Sequence, residues 1–168
     1  MTRAAAVAAL SFAFCAPALG GATRDVDLLR VFHAQLPRVK RTTTVAVLLP
    51  RRLPLLGSYK LYPSGSATRS SYDLELAGAP RCGGANACFV AAFQAQRGGK
   101  LPGRSNARLA GGDPALFHPV TCGASCSPSS LWFTHRGVLY SWQAKDLRTP
   151  AKTVLVRMAN EAIAAGPR

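Results

Sequence analysis

Four cysteines in the second half of the chain form its clearest chemical pattern: Cys82, Cys88, Cys122 and Cys126. Their spacings are C-x5-C and C-x3-C, whereas structural zinc sites generally use C-x2-C pairs and redox-active sites use C-x-x-C. The pattern therefore predicts two disulfides and no metal site. Local pairing, Cys82 with Cys88 and Cys122 with Cys126, is favoured because short, glycine-containing segments turn each pair back on itself. Cross-pairing stays open, since four cysteines allow three connectivities.

Two carboxylates, Asp73 and Glu75, lie at alternate positions of a predicted strand. Such positions share a face and lie about 7 Å apart, a separation that suits a general acid and a general base. They also alternate with apolar residues, as solvated strand positions do. The pattern favours a solvated strand face over a catalytic pair.

Three histidines and one serine give weaker signals: His33, His118, His135 and Ser125. Each histidine falls in a different predicted element, which favours surface positions. Ser125 lies in a segment that imitates a nucleophile elbow but lacks its second glycine. We therefore expect no catalytic residue and no cofactor, and a non-enzymatic binding or carrier module. The alternative is an envelope hydrolase with an unrecognised polar site.

The chain is strongly basic, with 21 Lys and Arg against 7 Asp and Glu among its 168 residues and a formal net charge of +14. One cluster of candidates for binding an anionic surface brackets residues 45–49: Arg38, Lys40, Arg41, Arg51 and Arg52. Anionic lipid headgroups or acidic wall polymers would be the partners, through sequence-independent attraction. A solubilising basic surface is the competing explanation. No nucleic-acid-binding motif occurs, so a specific nucleic-acid partner is not expected.

Residues 1–22 are typical of a secretory signal peptide. Arg3 precedes the apolar run 4–16, and small residues follow at 17–22, where cleavage after Gly20 or Ala22 is expected. The run is shorter than the ~20 residues of a membrane-spanning helix, so no transmembrane segment is expected after cleavage. Removal of Cys15 leaves an even number of cysteines in an oxidising compartment. The expected location is secreted or associated with the cell envelope.

Periodicity predicts one α+β domain over residues 44–168, preceded by an N-terminal helix and a basic lead-in over 23–43. The predicted helices are 25–36, ended by Pro37, and one that starts at Thr149-Pro150 and ends at Gly166. The strands predicted most clearly are 45–49, 59–62, 71–76, 89–94, 131–134 and 138–144, and weaker strand patterns occur at 107–110 and 116–120. Together they predict an antiparallel sheet of about six strands. Residues 50–57, 63–70 and 97–104 are predicted as loops or turns. Trp132, Tyr140 and Trp142 are expected in the core rather than in a ligand groove, although Trp132 and Tyr140 can occupy opposite faces.

Several motifs of the chain resemble uncharacterised exported bacterial envelope proteins. These are Leu48-Leu49-Pro50 before a proline-rich loop, a glycine-rich stretch leading to Phe117, Trp132 followed by Gly137 and Tyr140, and the final segment 158–163. The chain is also similar, more loosely, to the sheet-plus-helix domains of lipoprotein carriers and PsbP-like lipoproteins. The resemblance covers residues 44–168 and implies an antiparallel sheet with a packed helix. It assigns no functional residue.

Overall fold

A computed structural model describes residues 23–57, 60–82, 85–148 and 150–168. The signal peptide predicted over 1–22, with Cys15, and the helix cap predicted at Thr149 lie outside the described residues. The elements in chain order are β1 (Thr23–Asp27), α1 (Leu28–Val31), α2 (Leu36–Thr42), β2 (Arg52–Leu56), β3 (Tyr62–Thr68), β4 (Ser71–Ala77), β5 (Phe89–Arg97), β6 (Ala107–Arg108), β7 (Pro114–His118), β8 (Thr121–Cys122), β9 (Cys126–Ser127), β10 (Ser129–His135), β11 (Val138–Ala144) and α3 (Ala151–Ala165). In the part of the chain that the structure describes, no helix is both long and apolar enough to cross a membrane.

Seven antiparallel strands form the central sheet, in the order β3-β4-β5-β11-β10-β7-β6. The predicted hairpin of β10 and β11 is confirmed, with Leu131 opposite Trp142 and Phe133 opposite Tyr140. Arg136 and Gly137 turn the chain between these strands, both with positive φ, of 49° and 75°. Positive φ at both positions is typical of a two-residue hairpin turn, because the twist of such a turn matches the twist of the two strands that it joins. Glycine adopts these angles without steric cost.

One face of the sheet carries the hydrophobic core. Trp142 lies at its centre, with ring centroids 5.6 Å from Phe93 and 5.2 Å from Phe133. The ring of Tyr140 stacks on Phe133 at 5.1 Å. Strand alternation accounts for this set, because every second residue of a strand faces the same side. We call this side the inner face and the opposite side the outer face.

The C-terminal helix α3 covers the inner face, as the apolar stripe predicted. Its buried side chains are those of Val154, Leu155, Met158, Ala159 and Ala162. The helix ends before Gly166, whose φ of 74° is accessible to glycine at low cost. The α+β class with an antiparallel sheet and a C-terminal helix therefore fits the structure.

Residues 45–49 were expected to form a buried strand, but they pair with no strand of the described chain. Four of the five residues are buried, Ala46 is partly exposed, and the segment has no regular secondary structure. The hydroxyl groups of Tyr72 and Tyr140 donate hydrogen bonds to two of their carbonyl oxygens, each at 3.0 Å. Arg168 donates to two more, also at 3.0 Å, through its backbone N–H and its side chain. Three side chains and the backbone N–H of Arg168 thus supply the hydrogen bonds that a neighbouring strand would have made.

The helix predicted over 25–36 is wrong in its extent. Residues up to Asp27 form β1, which pairs with β2, so the loop predicted at 50–57 is partly a strand. Asp27 Oδ1 accepts hydrogen bonds from the N–H groups of Leu29 and Arg30 and caps the four-residue helix α1. Pro37 lies in the first turn of α2, where its missing N–H costs nothing, so it begins a helix rather than ending one.

Both disulfides join cysteines that are close in sequence. The Sγ atoms lie 2.07 Å apart in Cys82–Cys88 and in Cys122–Cys126. This is the local pairing that the sequence favoured. The first disulfide closes the loop between β4 and β5, and the second closes the small β8–β9 hairpin between β7 and β10.

Candidate ligand groove on the outer face of the sheet

The outer face of the sheet carries a polar groove of about 580 Å³. Its lining includes amide, hydroxyl, carboxylate and indole side chains, among them Asp73, Gln94, Gln96, Trp132, Ser141 and Gln143. All lie at strand positions that alternate with buried core residues. We call it the sheet-face groove.

Cross-strand register places the key side chains of the groove in one row. Ser66 lies opposite Asp73, and Asp73 lies opposite Gln94. Gln94 in turn lies opposite Ser141, which lies opposite Trp132. Because neighbouring strands are about 4.8 Å apart, Asp73 and Trp132 are separated by about 14 Å across three strand spacings. The row therefore has a serine and a carboxylate towards one end and an indole at the other.

The loop between β5 and β6 packs on the outer face of the sheet beside the sheet-face groove, whose lining includes Leu139. It must cross β11, β10 and β7, because β5 and β6 lie on opposite sides of those strands. A Cβ atom on Gly99 would lie 2.8 Å from Cβ of Leu139, and one on Gly103 would lie 3.4 Å from Cδ2 of Leu116. Both leucines are at outer-face positions, so the loop packs over the outer face. Glycine at position 99 permits this close approach.

The acidic end of the groove is short of hydrogen-bond donors. Gln94 Nε2 donates to Asp73 Oδ2 at 2.8 Å, while Asp73 Oδ1 is shielded and has no hydrogen-bond partner among the described residues. Glu75 lies on the same face two residues along β4, outside the lining of the groove, and its pKa is raised by burial, with a smaller contribution from the neighbouring Asp73 charge. Within the described chain neither carboxylate forms an ion pair, although basic residues are three times as frequent as acidic ones. A ligand with hydroxyl donors would complement this end.

The other end of the groove is aromatic. Trp132 is partly exposed, in contrast to its buried sequence neighbours Leu131 and Phe133. Its ring centroid lies 4.9 Å from that of His118 in an edge-to-face contact. The expectation that Trp132 belongs to the core is wrong, because it occupies the face opposite to Tyr140 and Trp142. An exposed indole presents a flat apolar surface with one N–H donor, which suits it to binding a ligand.

The two disulfide loops border one end of the outer face. Asn86 Nδ2 donates to Ser125 Oγ at 3.4 Å, which joins the loop closed by Cys82–Cys88 to the hairpin closed by Cys122–Cys126. Lys145 Nζ also donates to the backbone oxygen of Asn86. Ser125 is therefore engaged at the margin of the sheet and does not reach Asp73 or Glu75.

Comparison with known proteins finds no matching family model, no matching characterised protein and no matching solved structure.

The basic residues singled out from the sequence fall into two groups. Arg38, Lys40 and Arg41 lie on α2, which packs against β3, and the guanidinium group of Arg38 donates to the carbonyl of Gly65. Arg51 and Arg52 instead lie beside the carboxylates of β1, at 3.8 Å from Asp27 and 3.6 Å from Asp25. Residues 45–49, which lie between the two groups in the sequence, do not form a strand. The two groups therefore do not lie at the two ends of a strand. Their binding to an anionic surface stays a prediction.

Replacing Glu75 with glutamine is expected to leave the protein at least as stable as the wild type at neutral pH. The folded state holds the Glu75 proton more tightly than the unfolded state does, because its folded pKa is raised. Its contribution to stability is therefore fully present below the unfolded pKa and decreases as the pH rises through the folded pKa. Urea unfolding of wild type and Glu75→Gln between acidic and neutral pH measures the difference.

The matched control is Glu161→Gln, which removes an exposed carboxylate on α3. The advantage of Glu75→Gln over the wild type should grow with pH in this interval. If Glu161→Gln gives the same trend, or if the advantage of Glu75→Gln shrinks as the pH rises, burial of the Glu75 carboxylate is not the cause.

Proposed function

We propose that this protein is a non-enzymatic binding module of the extracellular space or cell envelope, and that its ligand lies along the sheet-face groove. One observation carries the proposal: a row of hydrogen-bonding side chains crosses five strands and ends at a partly exposed tryptophan. Concave sites with an apolar surface and a few fixed polar groups are the usual form of ligand sites. The groove volume of about 580 Å³ lies in the range of such sites.

The ligand class that fits the groove best is a neutral oligosaccharide. Sugar rings combine an apolar C–H face, which can pack on the indole of Trp132, with hydroxyl groups that both donate and accept hydrogen bonds. Hydroxyl donors match the carboxylate of Asp73, and Gln94 and Ser141 provide both donors and acceptors. The distance of about 14 Å between Asp73 and Trp132 requires an extended ligand that spans several strands.

The hydrolase alternative receives no support from the groups that it would need. Glu75 and His118 belong to the same cross-strand row, which runs through Ala92, Gln143 and Ser130. Four strand spacings place them about 19 Å apart. The hydroxyl of Ser125 accepts a hydrogen bond from Asn86, which is not a general base. A nucleophile and its base must lie within hydrogen-bond reach, and no pair drawn from Asp73, Glu75, His118 and Ser125 does so in the described chain.

The location outside the cytoplasm rests on three features. Disulfides are typical of proteins in oxidising compartments, and the structure contains two. The signal-like residues 1–22 and the resemblance to exported bacterial envelope proteins point the same way. An envelope glycan would be available to the sheet-face groove at this location.

Binding of the disulfide-intact protein to an array of neutral oligosaccharides tests the proposal, followed by calorimetric titration of the best binders. The array should include α- and β-linked hexoses and N-acetylhexosamines of increasing length. We expect affinity to rise with the number of sugar units until the ligand spans the row from Asp73 to Trp132. If no oligosaccharide of any length binds, the proposed ligand class is wrong.

A further inference from the structure

Four arginines from three parts of the chain line one recess of about 350 Å³: Arg51, Arg52, Arg148 and Arg157. We call it the arginine recess. It is separate from the sheet-face groove, because no described residue lines both. Of these four residues, only Arg51 and Arg52 are neighbours in sequence, so folding brings the charges together.

Short-range backbone contacts hold the walls of the arginine recess in place. Leu55 of β2 forms a β-bridge with Leu147, immediately before Arg148. The N–H of Leu56 also donates to the carbonyl of Asp146 at 2.7 Å. Arg157 is carried by α3, next to the buried Met158. The backbone segments that carry these arginines are therefore held in place, which lowers the conformational entropy that is lost when a ligand binds.

The carboxylates in the recess do not use up the arginine donors. Asp25 and Glu161 also line it, so four cations face two anions. The nearest N to O distances are 3.6 Å for Arg52 with Asp25, 3.8 Å for Arg51 with Asp27, which lies outside the lining, and 4.0 Å for Arg157 with Glu161. A charge-assisted hydrogen bond is about 2.7–2.9 Å long, so these groups attract each other without forming one. Arg148 has no ion-pair partner among the described residues.

We propose that the arginine recess binds a phosphate group carried by a small molecule or a soluble polymer. Guanidinium groups bind phosphate in a bidentate manner, and a bound anion would offset the mutual repulsion of four cations. The recess is concave, so it accepts a protruding group rather than the flat surface of a bilayer. Asp25 and Glu161 offset only part of the positive charge of the recess.

The experiment is a calorimetric titration of the whole protein at low ionic strength with three probes. These are inorganic phosphate, linear tripolyphosphate, and vesicles containing phosphatidylglycerol. We expect both soluble phosphates to bind, the tripolyphosphate more tightly, and both affinities to fall as salt is added. Binding of the vesicles without binding of either soluble phosphate would overturn the proposal and indicate membrane attachment instead.

Variants separate the arginine recess from the overall positive charge. Arg148→Gln and Arg52→Gln should each weaken tripolyphosphate binding about tenfold, as expected for loss of a hydrogen-bonded charge. Both residues are exposed, so the variants should fold. Arg41→Gln is the matched control, because it makes the same change in charge on α2 and does not line the recess. An equal loss with Arg41→Gln would show that the attraction is diffuse and would overturn the proposal.

A variant that removes a negative charge from the recess, and should therefore bind phosphate more tightly, gives an independent check. Glu161→Gln removes a negative charge from the arginine recess and should strengthen tripolyphosphate binding by about threefold to tenfold. A decrease in affinity would mean that the carboxylate supports the site in another way and that the phosphate does not lie where we place it. This site does not depend on the sheet-face groove, so the oligosaccharide proposal can fail without affecting it.

Discussion

Replacing Tyr140 with alanine is expected to lower the free energy of unfolding by about 3 to 5 kcal/mol. The ring is 1% exposed and stacks on Phe133, so truncation leaves a cavity in the centre of the inner face. The hydroxyl group is also lost, and with it the hydrogen bond to the carbonyl of Ala46. Equilibrium unfolding in urea, followed by tryptophan fluorescence, measures the effect.

The conservative variant Tyr140→Phe separates the two contributions. It keeps the stacked ring and removes the donor for Ala46, so we expect a loss of about 1 to 3 kcal/mol. Tyr140→Ala must be the more destabilised of the two. If Tyr140→Ala unfolds like the wild type, the β10–β11 hairpin does not present Tyr140 to the core.

Replacing Trp132 with alanine is expected to give the opposite outcome, with nearly unchanged stability and loss of binding. Trp132 is partly exposed on the outer face, so little of the core is disturbed. Among the residues that the structure describes, the indole is the only aromatic side chain that lines the sheet-face groove apart from the core residue Tyr72. We expect the affinity for the best oligosaccharide to fall at least about tenfold, because aromatic residues dominate such contacts. Calorimetry and urea unfolding on the same preparation measure both quantities.

Tyr62→Ala is a suitable control for Trp132→Ala. Tyr62 is also a partly exposed aromatic residue of the central sheet, but it does not line the sheet-face groove. Its replacement should leave oligosaccharide affinity within about twofold of the wild type, well below the effect of an anchor residue. Equal losses from both replacements would mean that binding depends on general aromatic exposure and not on the groove.

Patterns that depend on local chain chemistry were predictable from the sequence. The β10–β11 hairpin has an alternating apolar pattern and a glycine at a turn position that requires positive φ. Helix α3 has a continuous apolar stripe. The local disulfides follow from short, glycine-containing spacers. Each of these elements is specified within about 15 residues.

Features that depend on distant contacts were not predictable. Residues 45–49 have the composition of a buried strand, but their carbonyl groups are bound by Tyr72, Tyr140 and Arg168. Residues 63–70 have the glycine and serine content of a turn, yet most of them form β3 because β4 provides a pairing edge. Tertiary contacts override local propensity in both cases.

The candidate site could be predicted only in part from the sequence. Strict alternation around Leu131 and Phe133 places Trp132 on the opposite face, so a signal for its exposure was present in the hairpin pattern. The row from Asp73 to Trp132 required the strand order, which no local pattern encodes. The arginine recess also could not be predicted from local patterns, because tertiary packing brings Arg148 and Arg157 next to Arg51 and Arg52.

The most direct test of the central claim is nuclear magnetic resonance of the ¹⁵N-labelled protein during titration with the best-binding oligosaccharide. The claim is that the ligand lies in the sheet-face groove. It predicts that the Trp132 indole N–H and the side-chain amides of Gln94, Gln96 and Gln143 shift progressively, while the buried Trp142 indole changes little. Shifts confined to the arginine recess or to the inner face, with unchanged Trp132 and Gln94 signals, would contradict it.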